Sequence, residues 1–555
     1  MGNGGSVAYN RRDVWSNENT LTYMKKINED NRFDVLAGFS LQGTTTSRDG
    51  FTAIDVPNES LGIHGLDQGT PEPVTTTASQ SSLESFMGRV NYNYKSKYLL
   101  TGTFRTDGSS RFAPANKWGY FPSGAFAWRM GNEPFMKKLS FVSDAKLRIS
   151  YGVTGNNRVG DFSYLPTVNP TNAAAYSFNN QVPTQGVDIS SLGNADLKWE
   201  TTAELDLGYD LSLLKGQVEL TVDVYRRTTK NLLLNADLPY NTGYSSVFEN
   251  IGSLQNQGLE ITLNTNNIHI KDFNWGSSFN ISFNQNKILS LVNGQDQILN
   301  TVSWETQYNN SDLYISKVGQ PAGQFYGYVF NGIYQLSDFD VSPTGTYTLK
   351  AGIPNNGNLV KNIQPGDIKY KDINGDSVVN SLDQTMIGRG QPIYTGGFSN
   401  DFRYKGFSLN VFFQWSVGND IFNANRLLFE GSATTSLNQF ATYIDRWTPD
   451  NPSDKYYKAG RGAPYGIYST RVLEDGSYLR LKTVSLGYNI PSKYLKRAGI
   501  TSLSVNVSAQ NLFTWTKYSG MDPEVSVRNS VLTPGLDFSA YPHARSVVFG
   551  INLSF

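Results

Sequence analysis

The sequence has 555 residues, with 47 Lys+Arg balanced by 47 Asp+Glu, so no basic field exists to hold nucleic acid and no nucleic-acid partner is expected. Cysteine is absent, which excludes disulfides, thiolate metal sites and a cysteine nucleophile. Charged residues are only 17% and aromatics 13%, and no run of about 18 apolar residues occurs; a transmembrane helix is excluded, but a transmembrane β-barrel, whose strands need only every second residue apolar, is not.

Taken in chain order, residues 1–18 carry no apolar alternation and read as the remnant of a preceding outer loop; residues 19–555 read as barrel. The opening residues show neither a basic n-region nor an apolar h-region, so the protein is either cytoplasmic or lacks its front end. The first strand is expected around Leu21 to Ile27. Period-two alternation then marks Val218 to Val224, Trp275 to Phe283, Phe407 to Trp415 and, most clearly, the final segment, where Val547, Phe549, Ile551, Leu553 and Phe555 share one face.

The connections alternate in length. Short turns fall at Asn28 to Asn31, Lys95 to Lys97, Leu214 to Gly216, Asn267 to Phe273 and Lys405 to Gly406, and long polar excursions lie between them, the largest at residues 285–390. Outer-membrane barrels have short periplasmic turns and long outer loops, whereas a sandwich has no reason to segregate loop length by end. The fold class is therefore all-β, a transmembrane antiparallel barrel with about 15 strands present. That count is odd, and bacterial single-chain barrels are even, so the chain is expected to be the C-terminal part of a longer barrel.

Several segments in order carry a family resemblance: Tyr98 to Phe112 (YLLTGTFRTDGSSRF), Lys117 to Ser123 (KWGYFPS), Lys146 to Asn156 (KLRISYGVTGN) and Asn250 to Glu260 (NIGSLQNQGLE). Further on come Gly366 to Asp376 (GDIKYKDINGD), Arg446 to Pro452 (RWTPDNP), Asp475 to Lys482 (DGSYLRLK), Asn511 to Glu524 (NLFTWTKYSGMDPE) and the terminal Phe555. With these the chain resembles the C-terminal barrel portion of a SusC/RagA-type TonB-dependent outer-membrane transporter. The resemblance implies 22 strands in all, a size that suits a plugged lumen. It also implies a SusD-like surface lipoprotein as partner, uptake of oligosaccharides or oligopeptides, and coupling to the TonB complex through an N-terminal plug missing from this chain. A passive porin or a non-transporting barrel fragment is the alternative, and pairing of Leu21 to Ile27 with Ser546 to Phe555 would favour the porin. A soluble carbohydrate-binding β-protein is a third class, set against the five aligned apolar residues at the terminus.

Three sets of residues stand out for function. Asp372, Asn374, Asp376, the Val378 carbonyl, Asn380 and Asp383 place oxygens at positions 1, 3, 5, 7, 9 and 12 of a calcium-type loop, although Ser377 replaces the turn glycine and Asp383 the closing glutamate. Ca²⁺ is the expected cofactor, with no organic cofactor; the alternative is a solvated Asx-turn loop. Trp304, Tyr308, Tyr314, Tyr456, Tyr457, Tyr465 and Tyr468 lie in the long excursions, where flat rings would suit sugar faces, or else a girdle or lid contact. Val547, Phe549, Ile551, Leu553 and Phe555 offer a stripe toward membrane lipid that doubles as an assembly signal. Asp107-Gly108, between Arg105 and Arg111, reads as a turn at the outer rim. The three histidines and the loop acids Glu305, Asp312, Glu430 and Asp445 suggest no catalytic constellation, and the chain is not expected to be an enzyme.

Overall fold

The structure is a computed structural model that describes residues 3–555 apart from 180, 239, 245, 292–293, 357–358, 360–361, 432–436, 461–465 and 528–529. Fifteen long strands follow one another in sequence order along one sheet path. They are β1 (Gly5–Lys26), β2 (Asn31–Ile54), β3 (Thr75–Tyr94), β4 (Tyr98–Ser109), β5 (Trp118–Arg129), β6 (Val142–Asn156), β7 (Glu200–Leu213) and β8 (Val218–Lys230). The path continues through β9 (Ser253–Ile270), β10 (Phe273–Ser290), β11 (Tyr394–Tyr404), β12 (Phe407–Val417), β13 (Tyr478–Asn489), β14 (Ser502–Thr516) and β15 (Ser546–Ser554). The strand number agrees with the alternation in the sequence. Among the described residues, β1 and β15 each have a single neighbour on this path.

The chain divides into two compact units, one formed by Met1–Lys138, Lys146–Gly208 and Tyr225–Leu254, the other by Leu139–Ala145, Tyr209–Val224 and Gln255–Phe555. In the first unit β1 pairs with β2 from Lys26↔Arg32 to Gly5↔Ala53, and β2 pairs with β3 from Asn31↔Tyr94 to Gly50↔Thr75. The segment read as a remnant of a preceding outer loop is strand from Gly5 on. At about 3.3 Å per residue the 22 residues of β1 span about 73 Å, far beyond an apolar band about 25 Å tall, so much of the ribbon lies outside it. Its polar residues, Asn10 to Asp13 against Thr45 to Arg48, pair without burying a face, which is why no alternation marks them.

The hairpin at Lys95-Ser96 has positive φ at both residues, 54° and 52°, and the Asn93 side chain accepts from the Ser96 amide at 2.9 Å. This is the backbone that matches the right-handed twist of its flanking strands. Asp107-Gly108 is not a turn: both residues continue β4 and pair with Trp118 and Gly119 of β5. The Asp107 carboxylate is occupied by Arg105 Nε at 2.8 Å, and Arg105 also donates to Ser85 at 3.1 Å, so an ion pair along the strand replaces the turn. Above these strand ends Phe112, Phe121, Leu197 and Trp199 form a buried cluster, with Trp199 rings 5.5 Å from Phe112 and 5.4 Å from Phe121.

In the second unit β10, β11 and β12 are in register from Phe273↔Tyr404 and Tyr404↔Phe407 upward. Trp275 stacks on Phe402 at 5.6 Å, and Phe279 lies 5.7 Å from Trp415. These aromatic neighbours on one face are the cross-strand pairs that stabilise a sheet, each by roughly 0.2–1 kcal/mol. The opposite face carries hydroxyls and amides, such as Ser278 donating to Asn264 at 2.7 Å and Asn410 to Asp401 at 3.0 Å. β15 lies on β14 with Leu503↔Leu553, Val505↔Ile551 and Val507↔Phe549. Phe549, Ile551 and Phe555 are 79%, 73% and 90% exposed, an arrangement that only a lipid environment makes inexpensive.

The long connections of this unit fold on themselves. Residues 285–390 contain strands 297–301, 312–317, 324–327 and 385–389 in one small sheet, and the strand-like interior around Phe325 to Tyr334 resolves into two strands. Asp420–Asn423 pairs antiparallel with Leu473–Asp475 and parallel with Leu536–Asp537, which ties the connections at 418–477 and 517–545 together.

Candidate functional site

The loop body of the second unit is built on tyrosines. Tyr308, Tyr314, Phe325, Phe422 and Tyr468 form one buried cluster, and Tyr328, Tyr370, Trp447 and Tyr457 belong to another. Of the residues anticipated as sugar platforms, Tyr308, Tyr314, Tyr456, Tyr457 and Tyr468 are buried, and Trp304 packs against the first cluster with its ring 4.8 Å from Tyr308 and 4.9 Å from Phe538. Trp304 Nε1 donates to the Tyr468 hydroxyl at 2.9 Å, and the Tyr314 hydroxyl donates to the Pro534 carbonyl at 2.8 Å. Burial pushes the Tyr468 hydroxyl up to about 12 and those of Tyr308 and Tyr314 further still. These rings help hold the body together: five of the seven anticipated residues are buried in it, and Trp304 is partly buried against it. Tyr465 lies outside the described residues.

Charge is buried beside the rings. Arg471 and Arg426 both reach Glu430, at 3.3 and 2.9 Å, and Arg426 reaches Glu474 at 3.1 Å. Glu474 in turn accepts from the Ser519 amide at 2.7 Å. Where β13 enters the body, Arg480 is 2% exposed; it donates to Thr514 at 3.0 Å, Glu524 at 2.7 Å and Asp522 at 2.5 Å. Asp522 also accepts from the His543 amide at 2.9 Å and meets the His543 ring at 2.7 Å. Burial alone would raise the Asp522 carboxyl, but the amides of His543 and Glu524, then the His543 ring and Arg480, outweigh it and hold the group at about 2. The resembling segments DGSYLRLK and NLFTWTKYSGMDPE contain Arg480, Asp522 and Glu524, so they meet in one ionic knot. No spacing rule could have joined them from sequence.

The oxygens of the calcium-type loop are all in use. Asp372 accepts from the amides of Gly375 at 2.7 Å and Ser377 at 2.8 Å, Asn374 from Asp376 at 3.0 Å, and Asp376 from Val378 at 2.8 Å. Asn380 caps Leu382 at 2.8 Å, and Asp383, fully buried, accepts from Ile373 and Asn380 at 2.8 Å each. Burial would raise the Asp383 carboxyl; the amides of Asn380, Ile373 and Asn374 more than offset it and lower it. No group of three or more His, Asp or Glu side chains able to hold a metal occurs among the described residues, and Asp383 also interacts with the Asp372 side chain. The chain itself satisfies the loop as a run of Asx-turns. Val378 is partly exposed at 38%.

A meander of long antiparallel strands with short turns at one end, elaborate loops at the other and an exposed apolar face defines an outer-membrane β-barrel protein. The family model described as TonB dependent receptor-like, beta-barrel, matches residues 2–512, and the chain belongs to that family. It is 36% identical to a TonB-dependent receptor of Formosa agariphila over 100% of this chain and 54% of the relative, and 30% identical to the TonB-dependent receptor SusC of Bacteroides thetaiotaomicron over 96% and 49%. Among solved structures it is similar to the RagAB peptide transporter, with a TM-score of 0.80 and 25% identity over 100% of this chain and 56% of that one. The chain thus spans about half the length of the relatives it matches.

Proposed function

We propose that the chain is the barrel portion of a SusC/RagA-type importer that takes up oligosaccharides or oligopeptides across the outer membrane together with a SusD-like surface lipoprotein. Energy would come from the TonB complex through the part of the relatives' length that this chain does not span. The observation that carries the reading is the likeness to the RagAB peptide transporter along the whole chain. Among the described residues β1 and β15 each have one neighbour on the sheet path, which weighs against a self-closed passive porin, since an unpaired edge in lipid leaves each backbone group unsatisfied at several kcal/mol. The test is uptake of labelled oligosaccharide and oligopeptide mixtures by cells with and without the gene, before and after TonB depletion, with co-purification of surface lipoproteins. Gene-dependent uptake that stops on TonB depletion is expected; uptake indifferent to TonB would return the protein to the porin class.

A further inference from the structure

The ribbon of β1, β2 and β3 runs from Lys26↔Arg32 to Gly5↔Ala53 and from Asn31↔Tyr94 to Gly50↔Thr75 without a register shift. Its two faces therefore keep their identity along the full length. Low on the ribbon one face carries Leu21, Tyr23, Phe39, Phe86 and Val90, with the Phe39 and Phe86 rings 5.1 Å apart, and the other carries Thr20, Ser40, Ser85 and Asn91. The first faces lipid and the second the lumen. Higher up, the lumen-side face continues as two ranks across the three strands, Asn10–Arg48–Thr77 and Arg12–Thr46–Ser79. Arg12 stands sixteen residues before Asn28 of the first short turn. That is about 53 Å along the strand and about 40 Å along the normal for a tilted one, so the ranks lie about 15 Å beyond an apolar band about 25 Å tall.

Charge is sorted between the two faces. On the lipid-side face Arg11 is held by Asp13 at 2.9 Å, and Asp49 lies on that face too. Arg12 and Arg48 are exposed on the lumen-side face, and among the described residues neither has an ion-pair or hydrogen-bond partner. No carboxylate stands on that face from Asn10 to Ser16, from Gln42 to Arg48 or from Thr77 to Leu83. Arg12 and Arg48 occupy diagonal cross-strand positions, about 7–8 Å apart. Guanidinium forks bind carboxylate or sulfate groups bidentately, and Asn10, Thr46, Thr77 and Ser79 beside them can hydrogen-bond to hydroxyls. The two ranks carry no apolar side chain to seat those of a peptide, which favours a sugar chain. Resting on the importer reading above, we infer that this strip is an entry site for acidic oligosaccharides, whose carboxylates or sulfate esters Arg12 and Arg48 hold before the chain passes down the lumen face.

The test is binding of oligogalacturonate, carrageenan oligosaccharide, malto-oligosaccharide and oligoglutamate to the purified full-length protein. At least one of the two acidic saccharides should bind, which one telling carboxylate from sulfate, and the neutral one should bind far more weakly. Arg12→Gln and Arg48→Gln should each weaken the acidic saccharide about tenfold. Arg11→Gln makes the same charge change on the opposite face and should leave it unaltered. No binding of either acidic saccharide, equal binding of malto-oligosaccharide or oligoglutamate, or the same loss in Arg11→Gln would overturn the strip. Uptake separates this from the importer reading. TonB-dependent import of saccharides that is indifferent to both arginines leaves the importer standing and removes the strip; arginine-dependent binding without TonB-dependent uptake does the reverse.

Discussion

Arg480→Met is the most informative single perturbation of the loop body. The guanidinium is 2% exposed and its strongest partner, Asp522, has a side chain only 4% exposed, so removing the cation leaves a buried carboxylate without its counter-charge. Breaking such a pair costs roughly 3–5 kcal/mol, most of it the stranded charge. The pH dependence gives a second handle: a carboxyl held at about 2 against an ordinary 3.8 corresponds to roughly 2 kcal/mol of stability, of which the His543 and Glu524 amides supply more than Arg480 does. Because the folded value is depressed, that stability is present above pH ~4 and lost as pH falls through about 2. Urea unfolding of the purified protein in detergent, followed by tryptophan fluorescence at pH 7 and pH 2.5, should show a deficit in Arg480→Met that is largest at pH 7 and shrinks in acid. Arg480→Met combined with Asp522→Leu should recover part of it, though not all, since Asp522 also accepts from His543 and Glu524. A deficit below ~1 kcal/mol at pH 7, or one equal at both pH values, refutes the reasoning.

The two buried tyrosines of the first cluster should respond oppositely to loss of the hydroxyl. Tyr314→Phe gives up the bond to the Pro534 carbonyl and should lower stability by about 1 kcal/mol, while Tyr308→Phe, whose hydroxyl has no partner among the described residues, should leave stability unchanged or raised; equal effects in the same unfolding assay would contradict this. Removing Val547 to Phe555 strips β14 of its neighbour and should abolish heat-modifiable folded protein in the outer membrane; normal insertion of the shortened chain would undo the assembly role given to that strand. The spacing-based proposal of calcium at Asp372 to Asp383 predicts binding at about 10⁻⁴–10⁻³ M, lost in Asp376→Ala. Calorimetry that finds the same calcium binding before and after the substitution reduces the loop to the turns already visible.

Much of the barrel is legible because lipid imposes a period-two code. The apolar faces of β12 and β15 are half-buried or exposed, yet their alternation is as clean as in a core strand, and the short turns at Lys95 to Lys97 and Lys405-Gly406 fall where the chain places them. Two features escape that code. β1 carries the polar run Asn10 to Asp13 in the half that pairs with Thr44 to Ala53, and that run interrupts any local signal. The loop aromatics escape for another reason: Trp304 meets Tyr468 across 164 residues, and burial set by such distant partners cannot be read from a window of neighbouring residues. The same holds for Asp383. Its place twelfth in a calcium-type loop is visible in the sequence, but its complete burial against three amides is not.

The parallel pairing of Phe422 with Leu536 also bears on when the protein becomes complete. Residues 114 positions apart must meet before that small sheet exists, and its third strand arrives fewer than twenty residues before Phe555. Non-local contacts incur loop-closure entropy before they return any stabilisation. The hairpins of the wall can therefore zip up one after another, while the body above them stays unfinished until the last part of the chain has been delivered. During that interval its tyrosines and buried arginines would be open to chaperones and proteases, which makes the tail of the sequence the checkpoint for the entire outer surface.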